Sequence, residues 1–313
     1  MAAVNGTAST PAAAAAAEAA ADAGLARFAG FFDDAAVFPP GLAALPDAVH
    51  DHLTRRGTPL GELAGPLLLT GGDVVRATQF ARRQAERADI DLQADPVRIG
   101  LIVAPDGLDA AARLAADPPD GVVICGLEVK TDTRWREQSA AAVEIAEEAP
   151  YSVHVELSAD AVNVGGIAEL RGTRVRLKFR TGGLRARLFP TVDELAAVVH
   201  GAVAQGVAFK LTAGLHQAVR QVRASDGFAH HGFLNIALAA AWAQSGGQPA
   251  DAARALAVRD PAELVACYRG IAAGWRTAFE SFGTCGILEP VESLVRLGLL
   301  GGALLPAGQG GHR

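Results

Sequence analysis

The feature that most constrains the fold is an eightfold alternation between short apolar runs and longer segments with helical spacing. The runs are rich in Val, Ile, Leu and Phe, as strands are, and they cover residues 28–38, 66–72, 97–103, 121–130, 151–158, 174–183, 207–214 and 279–286. Between them, apolar residues recur at helical spacing over 74–88, 108–116, 139–148, 191–204 and 290–297. This alternation predicts an α/β fold, a closed (β/α)8 barrel of the TIM type. An open doubly wound sheet is the alternative, but the glycine fingerprint that usually follows its first strand is missing.

The two ends of the chain differ in composition from its middle. Residues 1–24 are rich in alanine and predict a disordered or frayed helical arm, and the glycine-rich residues 306–313 predict a flexible tail. No linker interrupts residues 25–305, so we predict a single barrel domain there. The longest interval between predicted strands, residues 215–278, predicts an expanded segment of two or three helices between the seventh and eighth strands.

Charge and cysteine content argue against several classes of protein. The net charge of -6 and the pI near 5.8 provide no basic surface for nucleic acid, and no apolar run reaches the ~18 residues that span a membrane. The N-terminal residues lack the features of a signal peptide, and three widely spaced cysteines without a CxxC pair suit a reducing compartment. We therefore expect a cytoplasmic protein that binds neither nucleic acid nor membrane and uses no cofactor. A homo-oligomer is compatible with this expectation.

Lysine is rare in this chain and occurs only at the ends of predicted strands. Only three of the 28 basic residues are lysines: Lys130, Lys178 and Lys210. Arginine can replace lysine where plain positive charge is enough, but not where an amine must lose its proton or bond to a carbonyl. Since functional residues of barrels gather at strand ends, the three positions predict a reactive or anion-binding site. Survival of the three lysines by chance is the alternative.

Alternation of side chains along the strands places the charged residues on one face of the sheet. The residues predicted to share the barrel interior are Glu128, Lys130, His154, Glu156, Arg176, Lys178, Arg180, Lys210 and Thr212, with Thr284 or Cys285 closing the ring. Their neighbours Leu177, Phe179, Phe209 and Leu211 would pack under the helices. Buried charges are tolerated only when they are paired or meet solvent and a ligand. An ionic cluster in which Glu128 and Glu156 neutralise Lys178 and Lys210 is the structural alternative to a reactive site.

The predicted crowding of cationic side chains inside the barrel indicates that one lysine amine is reactive. Lys178 or Lys210, held near Arg180 and partly desolvated, is expected to have a depressed pKa. A neutral amine attacks aldehydes and ketones to form a Schiff base. Glu156 or Glu128 would then carry protons to and from the intermediates.

Two strand ends resemble a known family. The segments KFRTGG and FKLTAGLH are similar to the sixth and seventh strands of class I aldolases of the deoxyribose-phosphate aldolase type. The resemblance implies that Lys178 forms the Schiff base and that Lys210 lowers its pKa. The family pattern Lys-Thr-x-Thr-Gly reads Lys178-Phe179-Arg180-Thr181-Gly182 here. The whole chain also resembles a group of bacterial proteins of unknown function, on DDAAVFPPG, RTGG, KLTAGLH and HGFLN.

Glycine-rich turns follow both of these strands. Thr181-Gly182-Gly183 and Thr212-Ala213-Gly214 have backbone N–H groups that could hold a phosphate or carboxylate, helped by Arg180. Arg185 and Arg187, further along the first loop, are expected to contact solvent or another subunit.

Several other polar residues are candidates for substrate contacts. His216 follows the seventh strand and is expected to hydrogen-bond or to act as acid or base. A metal site of His216, His230 and His231 with Glu156 or Asp33 is disfavoured by the spacing of the histidines. Asn235 is predicted to contact ligand, or otherwise to satisfy a buried loop carbonyl. Asp33 is predicted to point into the mouth, unless it caps the following loop with Asp34, and Cys285 is predicted to line the mouth.

Three functional hypotheses follow from these residues. The first is a barrel enzyme that acts on a small anionic carbonyl compound or phosphorylated metabolite through a lysine Schiff base, as a lyase or aldolase. The second is a non-covalent isomerase or hydrolase in which the lysines orient the substrate. The third is a non-catalytic binding or scaffold barrel, because the fold does not decide function.

Overall fold

Eight parallel strands close into a barrel in the computed structural model, which describes residues 24–305. The barrel strands are β1 (Phe32–Asp34), β2 (Ala64–Thr70), β3 (Val97–Val103), β4 (Val122–Lys130), β5 (Ser152–Leu157), β6 (Val175–Arg180), β7 (Phe209–Thr212) and β10 (Phe279–Thr284). They are ordered around the barrel as β1, β10, β7, β6, β5, β4, β3 and β2. The predicted (β/α)8 fold is therefore confirmed. The predicted arm and tail lie outside the described residues, except Gly24.

Helices connect the strands around the outside of the barrel. They are α1 (Leu45–Thr54), α2 (Pro59–Leu63), α3 (Val74–Ala88), α4 (Leu108–Ala116), α5 (Trp135–Glu148), α6 (Ala159–Asn163), α7 (Gly166–Glu169), α8 (Val192–Ala204), α9 (Phe233–Gln244), α10 (Pro249–Ala257), α11 (Pro261–Arg269) and α12 (Leu288–Arg296). The predicted bounds of α3 and α4 are correct. Helix α8 begins after Thr191, which forms a capping box with Glu194.

The first strand is much shorter than predicted. Residues 24–28 are helical, and Gly30, at φ +59°, follows this turn of helix before the strand begins. The phenylalanines that suggested an extended strand instead join an aromatic cluster. Phe31 stacks edge-on against Trp275 and Phe282, with ring centroids 5.2 and 5.4 Å apart. This cluster joins the first and last barrel strands to the expanded segment.

The expanded segment after β7 contains more than helices. Its three helices α9, α10 and α11 confirm the predicted number, but a short antiparallel hairpin, β8 (Gln221–Val222) with β9 (Ala229–His230), precedes them and was not predicted. Helix α9 is apolar almost all round and is buried over most of its length. No helix within residues 24–305 is long and apolar enough to cross a membrane.

Strand register brings the charged residues to one level inside the barrel. Lys178 is paired in register with Glu156 on one side and with Lys210 on the other. Leu177 and Phe179 alternate with these residues, point outward and are buried beneath the helices. The apolar core therefore lies between the sheet and the helices, and the barrel interior is free to carry charge.

Candidate active site

Two lysines and three carboxylates meet inside the barrel. Lys178 Nζ lies 2.9 Å from Glu128 Oε2 and 2.8 Å from Glu156 Oε2. Lys210 Nζ donates to Asp33 Oδ2 at 2.6 Å and to Glu128 Oε1. Glu128 thus bridges the two ammonium groups through its two oxygens. The structure brings together all four residues predicted to be catalytic and adds Asp33 to them.

This cluster is buried and nearly neutral. The side chains of Lys178 and Glu128 are only 2% and 4% exposed, so each charge requires a partner. The third carboxylate, Glu156, has Arg180 Nε at 3.3 Å, which balances the cluster. The pairing of Glu128 and Glu156 with the two lysines, which the sequence indicated, is thus observed.

The prediction of a depressed pKa is wrong for Lys210. Burial alone would lower the pKa of this lysine, but the carboxylates of Asp33 and Glu128 outweigh it and hold the pKa above its usual value. Lys210 is therefore a permanent cation at neutral pH. Burial raises the pKa of Asp33, and Glu128 adds to this effect against the opposing charge of Lys210.

The pKa values of the two glutamates are lowered, in contrast to the raised pKa of Asp33. Burial would raise the pKa of Glu128, but Lys210 and Lys178 outweigh it and keep the pKa well below its usual value. Lys178 and Arg180 have the same effect on the pKa of Glu156. Both carboxylates are therefore ionised at neutral pH and can accept a proton.

A cavity of about 680 Å³ opens above the cluster, at the carboxyl ends of the strands. Of the two buried lysines, Lys178 lines this cavity and Lys210 does not. Asp33, Glu128 and Glu156 also lie below the lining residues. Apolar side chains form part of the wall: Phe38, Ile102, Leu184, Leu188, Phe189 and Phe228.

The cavity lining is strongly basic. Its basic residues are Lys130, Lys178, Arg180, Arg185, Arg187, His216, Arg223 and His230, and its single carboxylate among the described residues is Asp226. Within residues 24–305, no carboxylate forms an ion pair with Lys130, Arg185 or Arg187. A site with this balance of charge favours an anionic ligand. Arg185 and Arg187 are exposed to solvent, as expected, and the loop after β6 also places them in the lining of the cavity.

The two glycine-rich turns pack against each other. Thr181 Oγ1 donates to the carbonyl of Ala213 at 2.6 Å, and a Cβ placed on Gly182 would lie 2.7 Å from Gly214 Cα. The close approach of the two loops is enough to require glycine at these positions, and no bound anion is needed to explain it. Thr212, Gly183 and Gly214 line the cavity, whereas Thr181 and Gly182 support it from behind.

The histidines of the expanded segment have different roles. His230 Nε2 contacts Asp226 at 3.0 Å at the cavity wall. His231 Nε2 contacts the carbonyl of Pro190 at 2.8 Å, and burial lowers its pKa to about 4. Among residues 24–305 no group of three or more His, Cys, Asp or Glu side chains is arranged to hold a metal ion.

Asn235 does not reach the cavity. Its amide donates to the carbonyls of Ala255 and Val258 at 2.9 and 2.8 Å, and its oxygen accepts from the backbone N–H of Arg220. The residue therefore ties the loops of the expanded segment together. This was the alternative interpretation of the sequence, and the predicted ligand contact is wrong.

His216 and Cys285 both line the cavity, as predicted. His216 Nδ1 contacts Glu289 Oε2 at 2.9 Å. Glu289, Arg223 and Asp226 were missed by the sequence reasoning. Glu289 lies just before the helix predicted over residues 290–297, and the other two lie in the hairpin, which has no strand signal.

A second charged layer lies deeper in the barrel. His154 Nε2 contacts Glu280 Oε2 at 3.2 Å, and Arg176 Nη1 lies 3.1 Å from Glu280 Oε1. Burial lowers the pKa of His154, which is neutral at pH 7. This layer is separated from the cavity by the lysine cluster.

Comparison with known proteins gives no match to a family model, a curated protein or a solved structure. The resemblance to class I aldolases therefore stays a prediction. The barrel is compatible with an enzyme, and the chemistry must be argued from the site itself.

Proposed function

We propose that this protein is an enzyme that acts on a small anionic carbonyl compound through a Schiff base on Lys178, as an aldolase or lyase. The observation that carries the proposal is the position of Lys178. Its amine lies at the floor of a basic cavity and contacts two carboxylates whose oxygens face it. A nucleophile, proton acceptors and an anion-binding wall thus occur together.

The glutamates are suited to move the protons of this reaction. Glu128 Oε2 and Glu156 Oε2 are buried, and neither makes a well-aligned hydrogen bond, although Lys178 Nζ is within 3 Å of both. One of them takes a proton from the Lys178 ammonium, and the free amine then attacks the carbonyl carbon. The same carboxylic acid protonates the carbinolamine oxygen, which leaves as water when the iminium forms.

Lys210 acts in this scheme as a fixed positive charge. It shares Glu128 with Lys178, so two ammonium groups compete for one carboxylate. Lys210 therefore keeps a positive charge at the strand position next to Lys178. Lys210 does not line the cavity and is held by Asp33, which supports Lys178 as the lysine with the covalent role.

Reductive trapping tests the proposal. Protein is incubated with borohydride and a panel of anionic aldehydes, ketones and sugar phosphates, and adducts are located by intact-mass and peptide mass spectrometry. We expect an adduct on Lys178 that is absent from Lys178→Met and retained in Lys130→Met, the matched lysine of the same cavity. An adduct confined to Lys130, or unchanged in Lys178→Met, would contradict the covalent role.

Complete pairing of both ammonium groups favours a second candidate, a non-covalent isomerase or hydrolase. Here Lys178 and Lys210 stay charged and polarise a bound substrate. The same experiment separates the two candidates. Binding of an anionic carbonyl compound without a trapped adduct, in protein shown to be folded, would support the second.

A further inference from the structure

His216 and Cys285 line the same cavity, and Glu289 contacts His216 from a third element. His216 follows β7, Cys285 follows β10, and Glu289 lies in the first turn of α12. Strands β7 and β10 are neighbours in the barrel, with Gly283 in register with Thr212. The loops that follow these strands are therefore adjacent, although His216 and Glu289 are 73 residues apart in sequence.

The imidazole of His216 is held in a defined orientation. Nδ1 contacts Glu289 Oε2 at 2.9 Å, and Glu289 is itself fixed by Gln217 Nε2 at 3.3 Å and Arg223 Nη2 at 3.0 Å. This leaves Nε2 of the ring for another partner. Cys285 follows the neighbouring strand, and both residues line the same cavity.

The charge state of His216 agrees with this geometry. Burial alone would lower its pKa, but interactions with Cys285 and Glu289 outweigh burial and raise the pKa to about 9. The other titratable group near the ring is His230, whose centroid is 6.2 Å away and whose own partner is Asp226. The imidazole is thus stabilised as a cation beside the carboxylate of Glu289.

We propose that Cys285, His216 and Glu289 form a thiol–imidazole–carboxylate triad that transfers the acyl group of small anionic esters or thioesters. A nucleophile beside a base that a third group orients is the arrangement required for covalent acyl transfer. The basic lining supplies the preference for an anionic acyl group. This activity is separate from the Schiff base on Lys178 and does not depend on it.

The reaction needs no reagent beyond the ester and water. In the pair that reacts, the thiol proton resides on Nε2 of His216, so the sulfur is a thiolate beside the imidazolium, and its electron pair attacks the acyl carbon. The bond from that carbon to the alcohol or thiol breaks, and the leaving group takes the proton from Nε2. Water then attacks the thioester and gives one proton to Nε2, which returns it to sulfur as the carboxylic acid leaves and ionises in solvent.

The surroundings of Cys285 distinguish it from the other two cysteines. Cys125 donates its thiol to the carbonyl of Ile99 at 3.3 Å, and burial raises its pKa. Cys267 lies in α11, and neither residue lines the cavity. The loop that contains Gly41 packs closely against Cys285, since a Cβ placed on Gly41 would lie 2.9 Å from Cys285 Cβ.

Competitive alkylation of the native protein provides the first test. Wild-type protein is treated with limiting iodoacetate or iodoacetamide, and each cysteine is quantified by peptide mass spectrometry, with Cys125 and Cys267 as internal references. We expect Cys285 to react first and its preference for the anionic reagent to exceed that of Cys267 by about tenfold, because the cavity is basic. Equal preference at Cys285 and Cys267 would overturn the proposal.

Acylation by an anionic ester provides the second test. Protein is mixed with mono-p-nitrophenyl succinate, nitrophenol release is followed, and the succinyl group is located after acid quenching. We expect a burst and a succinyl group on Cys285, both lost in Cys285→Ala and retained in Cys267→Ala. His216→Asn and Glu289→Gln should slow the burst by at least about tenfold, with folding checked by circular dichroism.

Acylation at another residue, or none on Cys285, would overturn the proposal. The readout is a group on cysteine in the wild-type protein, whereas the Schiff base is read as a reduced adduct on lysine. Either proposal can therefore fail while the other stands.

Discussion

Lys178 and Lys210 are register partners on adjacent strands and share the two oxygens of one carboxylate, Glu128. They nevertheless occupy different environments. Lys210 is closed in by Asp33 and Ser281, since both lysine and serine donate to Asp33 Oδ2. Lys178 opens to the cavity. One lysine is thereby fixed as a charge, and the other is available to a ligand.

Removal of the shared carboxylate is expected to destabilise the fold. Glu128→Gln leaves two buried ammonium groups with one fewer counterion, so the free energy of unfolding should fall by about 3 kcal/mol. Urea unfolding at pH 7 measures the change. The control is Glu169→Gln, whose ion pair with Arg136 is exposed and should contribute less than about 1 kcal/mol. Equal losses in the two variants would contradict a buried, coupled cluster.

Anion binding is expected to depend on the loop after β6. Arg185→Ala combined with Arg187→Ala removes two cations of the cavity wall that have no carboxylate partner among residues 24–305. Affinity for pyrophosphate, measured by calorimetry at low salt, should fall about tenfold or more. Arg83→Ala, an exposed arginine on α3, is the matched control. Undiminished affinity in the double variant would place the anion elsewhere.

His216 is expected to make stability depend on pH above neutrality. Its folded pKa is about 9, above the ordinary value of 6.5, so its contribution is complete below pH 6.5 and is lost as pH rises through 9. The free energy of unfolding should therefore decline across this range by up to about 3 kcal/mol. In His216→Asn the decline should be smaller, whereas His50→Asn, on an exposed helix face, should behave as wild type. An identical decline in all three proteins would refute this assignment.

The close approach of the two glycine-rich turns predicts a steric effect. Gly182→Ala brings a methyl group to 2.7 Å from Gly214 Cα, so the loops must separate. We expect a loss of about 1–3 kcal/mol, typical of overpacking, measured by thermal unfolding. Gly274→Ala has open space around its Cβ and serves as the control. A neutral Gly182→Ala would show that the turns can move apart freely.

Much of the barrel could be predicted because its strands have strong local signals. β3 runs from Val97 to Val103 as predicted, since every residue but Arg98 and Gly100 is Val, Ile or Leu. The length of the first strand could not be predicted, because Phe28 and Phe31 suit an extended strand as well as an aromatic cluster. Only the tertiary contacts with Trp275 and Phe282 distinguish the two.

The site was predictable to the extent that it lies on regular strands. Alternation along β6 and β7 correctly placed Lys178 and Lys210 inside the barrel. The same reasoning did not predict the charge of Lys210. Its partner Asp33 lies on β1, far away in sequence, and comes close to Lys210 only because the barrel closes. Arg185 lies in an irregular loop, where no periodicity indicates which way a side chain points.

Floor and wall of the cavity come from different kinds of structure. The floor belongs to barrel strands that must stay in register for the sheet to close, whereas Arg223, Asp226 and Phe228 belong to the β8–β9 hairpin. A hairpin can change in length or sequence without disturbing a parallel sheet. Relatives or engineered variants that differ only in this hairpin should therefore accept molecules of different shape over one unchanged set of reacting groups.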